Sequence, residues 1–323
     1  MKKKDRIASG GAKQSSIRTE LFRKIMLLVL IPLLIMGILP SCLSYSNMKG
    51  IVSQMMAELA KNSAMQIADK LDTVKNVAAM LGRDPQFSDP DISAAQLSSL
   101  IDQTAQSCGL AGGDVLDKSG RSRISGTSYA DQTFFQQAAQ GNVWVSEPVP
   151  DQSAGSVTIY VAAPVYQNGG GAVSGVVVLN PQPTFLNDIM ADVKINDGAS
   201  TYMLDKTGHT IADADMQTVL NSECTIEDAK TDSSLKALAA METKMTQGET
   251  GFGAYRYGGV PKYLAYAPVE GTDGWSVGVC AVSGDFLDAT YISIALIAVL
   301  LAVSIGSEQS WQGIRLIKQG GAV

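Results

Sequence analysis

The sequence of 323 residues predicts an α+β protein, with two tandem sheet-and-helix modules on a long N-terminal helix and a transmembrane helix on either side. Three observations carry this. Two uncharged apolar runs stand near the ends, an apolar stripe at helical spacing follows the first, and a strand–turn motif occurs twice in what remains.

Residues 1–24 form a basic arm, with Lys2, Lys3, Lys4, Arg6, Lys13, Arg18, Arg23 and Lys24 against only Asp5 and Glu20. The run 25–44 that follows is richest up to Leu39 and is long enough for a hydrocarbon core about 30 Å thick. Lysine and arginine beside a span stay cytoplasmic, so the N-terminus is expected inside and residues 45–288 outside. A cleaved leader is the rival reading, but the charged region is long and no small-x-small site follows. Leu39-Pro40-Ser41-Cys42 is a poor lipoprotein box because of its proline. The second run, 288–306, is expected to return the chain to a cytoplasmic tail, 307–323, which carries Arg315 and Lys318.

The net charge of −6 hides an asymmetry. Residues 45–290 hold 15 Lys plus Arg and 28 Asp plus Glu, a net of −13. An acidic outer part argues against nucleic acid or anionic lipid headgroups as partners. Cys42 belongs to the first run. Cys108, Cys224 and Cys280 are odd in number and widely spaced, which makes no disulfide framework and reads as three buried free thiols, with one bridge among them as the alternative.

Residues 45–82 predict one long helix. Ile51, Met55, Leu59, Ile67, Leu71, Val74, Ala78 and Leu81 recur mostly at spacings of three and four, with Lys61, Asp69, Lys70 and Lys75 on other faces. At 1.5 Å per residue this is a rod of about 50 Å. Asp84-Pro85 and Asp89-Pro90 stop it, and a second helix is expected over 94–107. Beyond Gly109 the texture turns to short β-rich segments. There Val115-Leu116-Asp117-Lys118-Ser119-Gly120 returns as Met203-Leu204-Asp205-Lys206-Thr207-Gly208, and Tyr160-Val161-Ala162-Ala163-Pro164-Val165 returns loosely over 263–269.

These paired turns, the long helix, Asp131-Gln132-Thr133-Phe134-Phe135, Val145-Ser146-Glu147-Pro148 and Ala163-Pro164-Val165 together resemble the double Cache domain. That is the extracytoplasmic sensor region of bacterial chemoreceptors, sensor kinases and cyclic-dinucleotide enzymes. The resemblance covers about residues 45–285 and implies two PAS-like modules, a membrane-distal one at 83–192 and a membrane-proximal one at 193–287. It also implies a homodimer along residues 46–81 and a ligand in the distal module.

Catalysis finds little footing. The sole histidine, His209, sits at a likely strand start and reads as a satisfied surface residue; no Cys-x-x-Cys is present, and no cofactor or metal is expected. Asn168-Gly169 marks a hairpin turn, and Gly169-Gly170-Gly171 lacks the Lys-Ser/Thr of a phosphate loop. Asp213 and Asp215 read as solvated, and Tyr255, Tyr257 and Tyr263 as packing. The better candidate is Tyr129, Gln132, Phe134, Phe135, Trp144, Tyr160 and Asn180, an aromatic wall with convergent polar groups. Each aromatic in it is equally readable as core.

The resemblance implies an arginine and an aspartate for amino-acid ligands at the positions of Gln132 and Asn180. Amides cannot neutralise a zwitterion, so the expected ligand is a neutral or weakly polar metabolite rather than a free amino acid, or the chain no longer binds its family's ligand. Arg121 and Arg123 are the nearby cations that could substitute. Seventeen residues after the second run cannot bury a core, so the chain reads as the receiving half of a chemotaxis transducer, as a truncated or partial gene would leave it. The alternatives are the input half of a sensor kinase or cyclic-dinucleotide enzyme, or a stand-alone binding subunit acting through a partner receptor.

Overall fold

The computed structural model describes the backbone of residues 17–151, 155–191 and 199–286, with Ala295 and Val299 beyond. The chain forms two compact units, residues 1–50 with 287–323, and residues 51–286. In the first unit, the run 25–44 is helical as part of α1 (Ile17–Leu81). Most of its side chains, and nearly all of the run 288–306, lie outside the described residues. Among the described residues no helix is long and apolar enough to cross a membrane.

In the second unit α1 buries Val52, Met56, Ala60, Ala64, Ile67, Leu71, Val74, Ala78 and Leu81. From Ile67 onward this is the predicted stripe. Before it the stripe is displaced by one residue, leaving Ile51 and Met55 59% and 39% exposed. Both rows are apolar at helical spacing, so periodicity cannot choose between them; packing does, and it turns the small Ala60 and Ala64 inward.

Just past the end of α1, Gly82 has no room for a side chain. A Cβ there would lie 2.1 Å from the carbonyl oxygen of Pro164, and the Gly82 carbonyl accepts a hydrogen bond from Tyr166 N–H at 2.8 Å. Gly82→Ala is therefore expected to cost about 3 kcal/mol, as overpacking against backbone does. A chemical denaturation midpoint checks it, and a loss below about 1 kcal/mol would show that the contact yields.

Asp84 caps the short α2 (Pro85–Ser88), accepting from Gln86 N–H, where the first Asp-Pro stop is predicted. Helix α3 (Ala94–Cys108) opens with a reciprocal Ser93–Gln96 cap, ends on Gly109 at φ 66°, and buries Leu97, Ile101 and Ala105. Its last residue, Cys108, is exposed, whereas Cys224 and Cys280 are buried; all three are free thiols. The expectation of three buried thiols fails at Cys108, on the outer side of the final turn.

Next come β1 (Gly112–Asp117), α4 (Thr133–Ala139), β2 (Trp144–Val145), the hairpin β3 (Val149–Asp151) and β4 (Ser156–Thr158), then β5 (Val161–Tyr166) and β6 (Val173–Asn180). They make an antiparallel sheet of order β1-β6-β5-β2, with β3 and β4 paired apart. The predicted turn joins β5 to β6, with Asn168 at φ 52°. Helix α5 (Phe185–Ala191) leads on to β7 (Ser200–Leu204), β8 (Thr210–Ala212), α6 (Met216–Leu220), α7 (Thr225–Asp228) and α8 (Lys236–Thr246). Strands β9 (Gly251–Tyr257), β10 (Val260–Pro268) and β11 (Ser276–Val282) complete a second antiparallel sheet, of order β8-β7-β11-β10-β9.

The echo in sequence is an echo in hydrogen bonding. Asp117 Oδ1 accepts from Ser119 N–H, Ser119 Oγ–H and Arg121 N–H at 2.8, 2.6 and 3.0 Å. Asp205 Oδ1 accepts from Thr207 N–H, Thr207 Oγ–H and His209 N–H at 2.8, 2.7 and 3.0 Å. Gly120 and Gly208 supply the left-handed residue, at φ 80° and 92°. One carboxylate thus gathers three donors and folds the chain back after the first strand of each sheet.

In the second sheet, Tyr202, Leu204, Tyr255, Leu264, Tyr266 and Cys280 pack with Leu238 and Met245 of α8. Tyr255 and Tyr263 are buried, as expected. Tyr257 is not. It is 51% exposed at the hairpin end of the edge strand β9, with Lys262 Nζ 5.6 Å above its ring. Asp213, expected in solvent, is half-buried behind β8, and burial raises its carboxyl above the usual aspartate range.

Candidate functional site

The first sheet has two faces, and strand register decides which residues share each. Pairing sets Leu116 against Val176, Asp114 and Ala162 against Val178, Asn180 against Gly112, and Trp144 against Ala162. Cross-strand partners point the same way, so these residues line one face. Helix α4 covers it, burying Phe134, Phe135 and Ala138 against Leu116, Ala162, Val176 and Val178, with Tyr129, Trp144 and Tyr160 partly buried at the margin.

The doubled turn positions the aromatic group. Gly120 O accepts from Tyr129 N–H at 2.8 Å, and Tyr129 O accepts from Gln132 N–H at 3.0 Å, so the turn around Asp117 sets both Tyr129 and the start of α4. Opposite, Tyr160 O accepts from Ser146 N–H at 2.8 Å, and Ser146 Oγ accepts from Tyr160 N–H at 3.0 Å. The Phe134 and Tyr160 rings stack at 4.8 Å, and Tyr129 tilts toward both, at 5.9 and 6.2 Å between centroids. Offset and tilted contacts of this kind suit the ring quadrupole.

The structure therefore brings Tyr129, Phe134 and Tyr160 together, with Phe135 buried in the same layer and Trp144 at its edge. Asn180 shares the face, and its Nδ2 donates to Ile159 O at 3.2 Å. Gln132 stands apart. It is the exposed N-cap of α4 and makes no side-chain capping bond. The two arginines are also taken: Arg121 Nε donates to Gly126 O at 2.9 Å, and Arg123 donates to Phe87 O and Asp89 O at 2.9 and 2.6 Å. Each guanidinium is thus tethered to backbone carbonyls, with its charge intact.

Asp114 is the residue that the sequence reading missed. It lies two positions before Leu116 on β1, half-buried on the aromatic face. Its Oδ1 accepts from Val115 N–H and Ser122 Oγ–H, both at 2.7 Å. Burial raises its carboxyl above the ordinary range, against the pull of those two bonds. Burial also raises the Tyr129 hydroxyl, helped by Tyr160 and the negative Asp114, and burial raises that of Tyr160. Both tyrosines are therefore neutral donors at physiological pH. The alternation of β1 could have flagged Asp114, but only with knowledge of which face α4 covers.

Among the described residues no three His, Cys, Asp or Glu side chains cluster as a metal site would require. His209 is half-exposed beside the second turn, its Nδ1 2.7 Å from Thr207 Oγ.

The family model described as Cache domain matches residues 44–289. Among solved structures, the ligand-binding domain of the Pseudomonas aeruginosa amino acid chemoreceptor PctC, in complex with GABA, aligns at a TM-score of 0.54 and 17% identity, over 71% of this chain and 98% of that one. The ligand-binding domain of the Pseudomonas fluorescens chemoreceptor CtaA, in complex with L-leucine, aligns at 0.54 and 15%, over 75% and 99%. The extracellular domain of a protein named as a histidine kinase aligns at 0.55 and 14%, over 72% and 98%. A comparison with curated proteins returned no match. At such identities the likeness is one of fold.

Proposed function

Because the chain belongs to the Cache domain family, we propose that it is a membrane-anchored extracytoplasmic sensor whose first module binds a small organic molecule bearing an amine and no carboxylate. The observation that carries this reading is that Asp114 shares one sheet face with the rings of Tyr129, Phe134 and Tyr160 and acts on the Tyr129 hydroxyl. An ammonium group gains from the π-faces of the partly exposed Tyr129 and Tyr160, by about 0.5–2 kcal/mol apiece, and from a charge-assisted bond to the carboxylate. A ligand carboxylate would be repelled by Asp114. Amino-acid zwitterions should on that ground bind more weakly than amines without a carboxylate.

The two apolar runs would anchor the chain, with both termini cytoplasmic and residues 45–288 outside. Dimerisation along α1 would place two sensors side by side. Ligand shifts the balance between ectodomain arrangements only by its difference in affinity for them, and a shift of about 1–2 Å in a helix suffices to pass it inward. The chemoreceptor and histidine-kinase folds support the sensing role equally, so the proposal commits to reception.

The test is thermal denaturation of the full chain in detergent against mono- and diamines, quaternary ammonium compounds, amino acids and carboxylic acids. At a ligand concentration about a hundredfold above Kd the stabilisation is about 2.7 kcal/mol, which is readily measured. Stabilisation by an amine supports the reading. Stabilisation by carboxylates alone, or by no compound, defeats it.

A further inference from the structure

The second module holds a carboxyl that ligand sensing by the first does not use. Glu242 lies on α8 facing the sheet, 2% exposed. Its Oε1 accepts from the Tyr202 hydroxyl at 3.0 Å. Its Oε2 is the one buried side-chain polar atom without a hydrogen bond among the described residues. Thr225 on α7 is near enough to favour the ionised form, yet does not satisfy that oxygen.

The surroundings leave a charge there without compensation. Leu204, Leu238, Met245 and Leu264 form the apolar wall. The titratable groups facing it are Tyr202 on β7, Tyr255 on β9 and Cys280 on β11, with Asp213 behind β8 and Lys262 on β10 acting on Cys280. The Tyr255 hydroxyl donates to Cys280 Sγ at 3.2 Å, and burial keeps Tyr202, Tyr255 and Cys280 neutral. Lys262 lies over the Tyr257 ring. Burial outweighs the two hydroxyls and holds the Glu242 carboxyl up at about 7.

Helix α8 packs closely on the sheet at Met241 and Met245. A Cβ at Gly253 would lie 2.3 Å from Met241 Sδ, and Ser276 Oγ–H donates to Met245 O at 2.7 Å, tying the end of α8 to β11. An ionised Glu242 can be solvated only if α8 moves. We propose that Glu242 makes the second module a proton-responsive element, in which α8 lies flat on the sheet while the carboxyl is protonated and is driven outward when it ionises. Strand β11, tied to α8, is the last strand of the sequence before the run 288–306, so protons and ligand would act on one output by separate routes. This inference is independent of what the first module binds.

The sign is set by the folded value standing above the ordinary 4.5. Below the ordinary value the contribution to stability is complete. Between it and about 7 the folded state keeps a proton that the unfolded state has lost, so stability falls as pH rises, and it is flat above. Thermal midpoints of the full chain and of Glu242→Gln, measured across that range, should differ by a curve that drops about 5 °C toward high pH. A flat difference curve overturns the proposal. If the glutamine variant does not fold, the infrared band of protonated carboxyl in chain carrying isotope-labelled glutamate decides. It should vanish on passing neutral pH and do so at higher pH in Tyr202→Phe, which loses the donor that favours ionisation. A band already absent in mildly acidic solution, or unmoved by Tyr202→Phe, overturns it too.

Discussion

Asp114→Asn should weaken amine binding by about a hundredfold, the equivalent of about 2.7 kcal/mol, while leaving the fold intact. The substitution keeps size and shape. The amide oxygen can still accept from Val115 N–H and Ser122 Oγ–H, which both bond to Oδ1 in the wild type. What disappears is the charge, and an ammonium buried beside three rings then has no counter-ion. Removing one partner of a desolvated charge pair costs about 2–5 kcal/mol, most of it the penalty on the charge left behind.

The pH dependence follows from the same residue. Burial raises the Asp114 carboxyl, so affinity should fall with acidification at a higher pH than its ordinary 3.8 would give. Titration calorimetry at neutral and acidic pH measures both effects. Gln132→Ala is the control: an exposed residue without a capping bond should leave affinity unchanged. If Asp114→Asn binds amines as the wild type does, the assignment of the site is wrong.

Trp275→Ala should be the most damaging single change to stability, at about 4 kcal/mol. Trp275 is 1% exposed and is the largest side chain so deeply buried among the described residues. It stands just before β11, its N–H donating to Thr272 Oγ at 3.1 Å and its carbonyl accepting from Val269 N–H at 2.8 Å. Removing the indole leaves a cavity that a sheet pinned on both sides by neighbouring strands cannot close. Urea denaturation followed by circular dichroism would report it as a lower midpoint at unchanged slope. A loss below about 1 kcal/mol would mean that the loop 269–275 collapses into the space.

Much of this architecture was legible before any coordinates. The Asp-x-x-Gly echo was readable because its chemistry is local: one carboxylate, three donors within four residues, and a glycine at positive φ. The α1 helix and its stop at Asp84-Pro85 were readable for the same reason. Yet the inner row of α1 was misplaced over its first turns, because Ile51 and Val52 are both apolar and only the partner surface tells them apart. Tyr257 was taken as packing on strand alternation, which says nothing about where an edge strand outruns its cover.

The site divides along the same line. Tyr129, Phe134, Phe135, Trp144 and Tyr160 could be gathered from sequence, since aromatic residues clustered around a short helix are conspicuous. Asp114 and Glu242 could not. Each is a single carboxylate among many in an acidic chain, ordinary until register and helix packing bury it. By itself the sequence determined the periodic and the local: two apolar runs, the basic arm, the long helix, the twin turns and the family. The tertiary structure alone decided which face each side chain meets and which charges lose their water, because burial depends on residues far away along the chain.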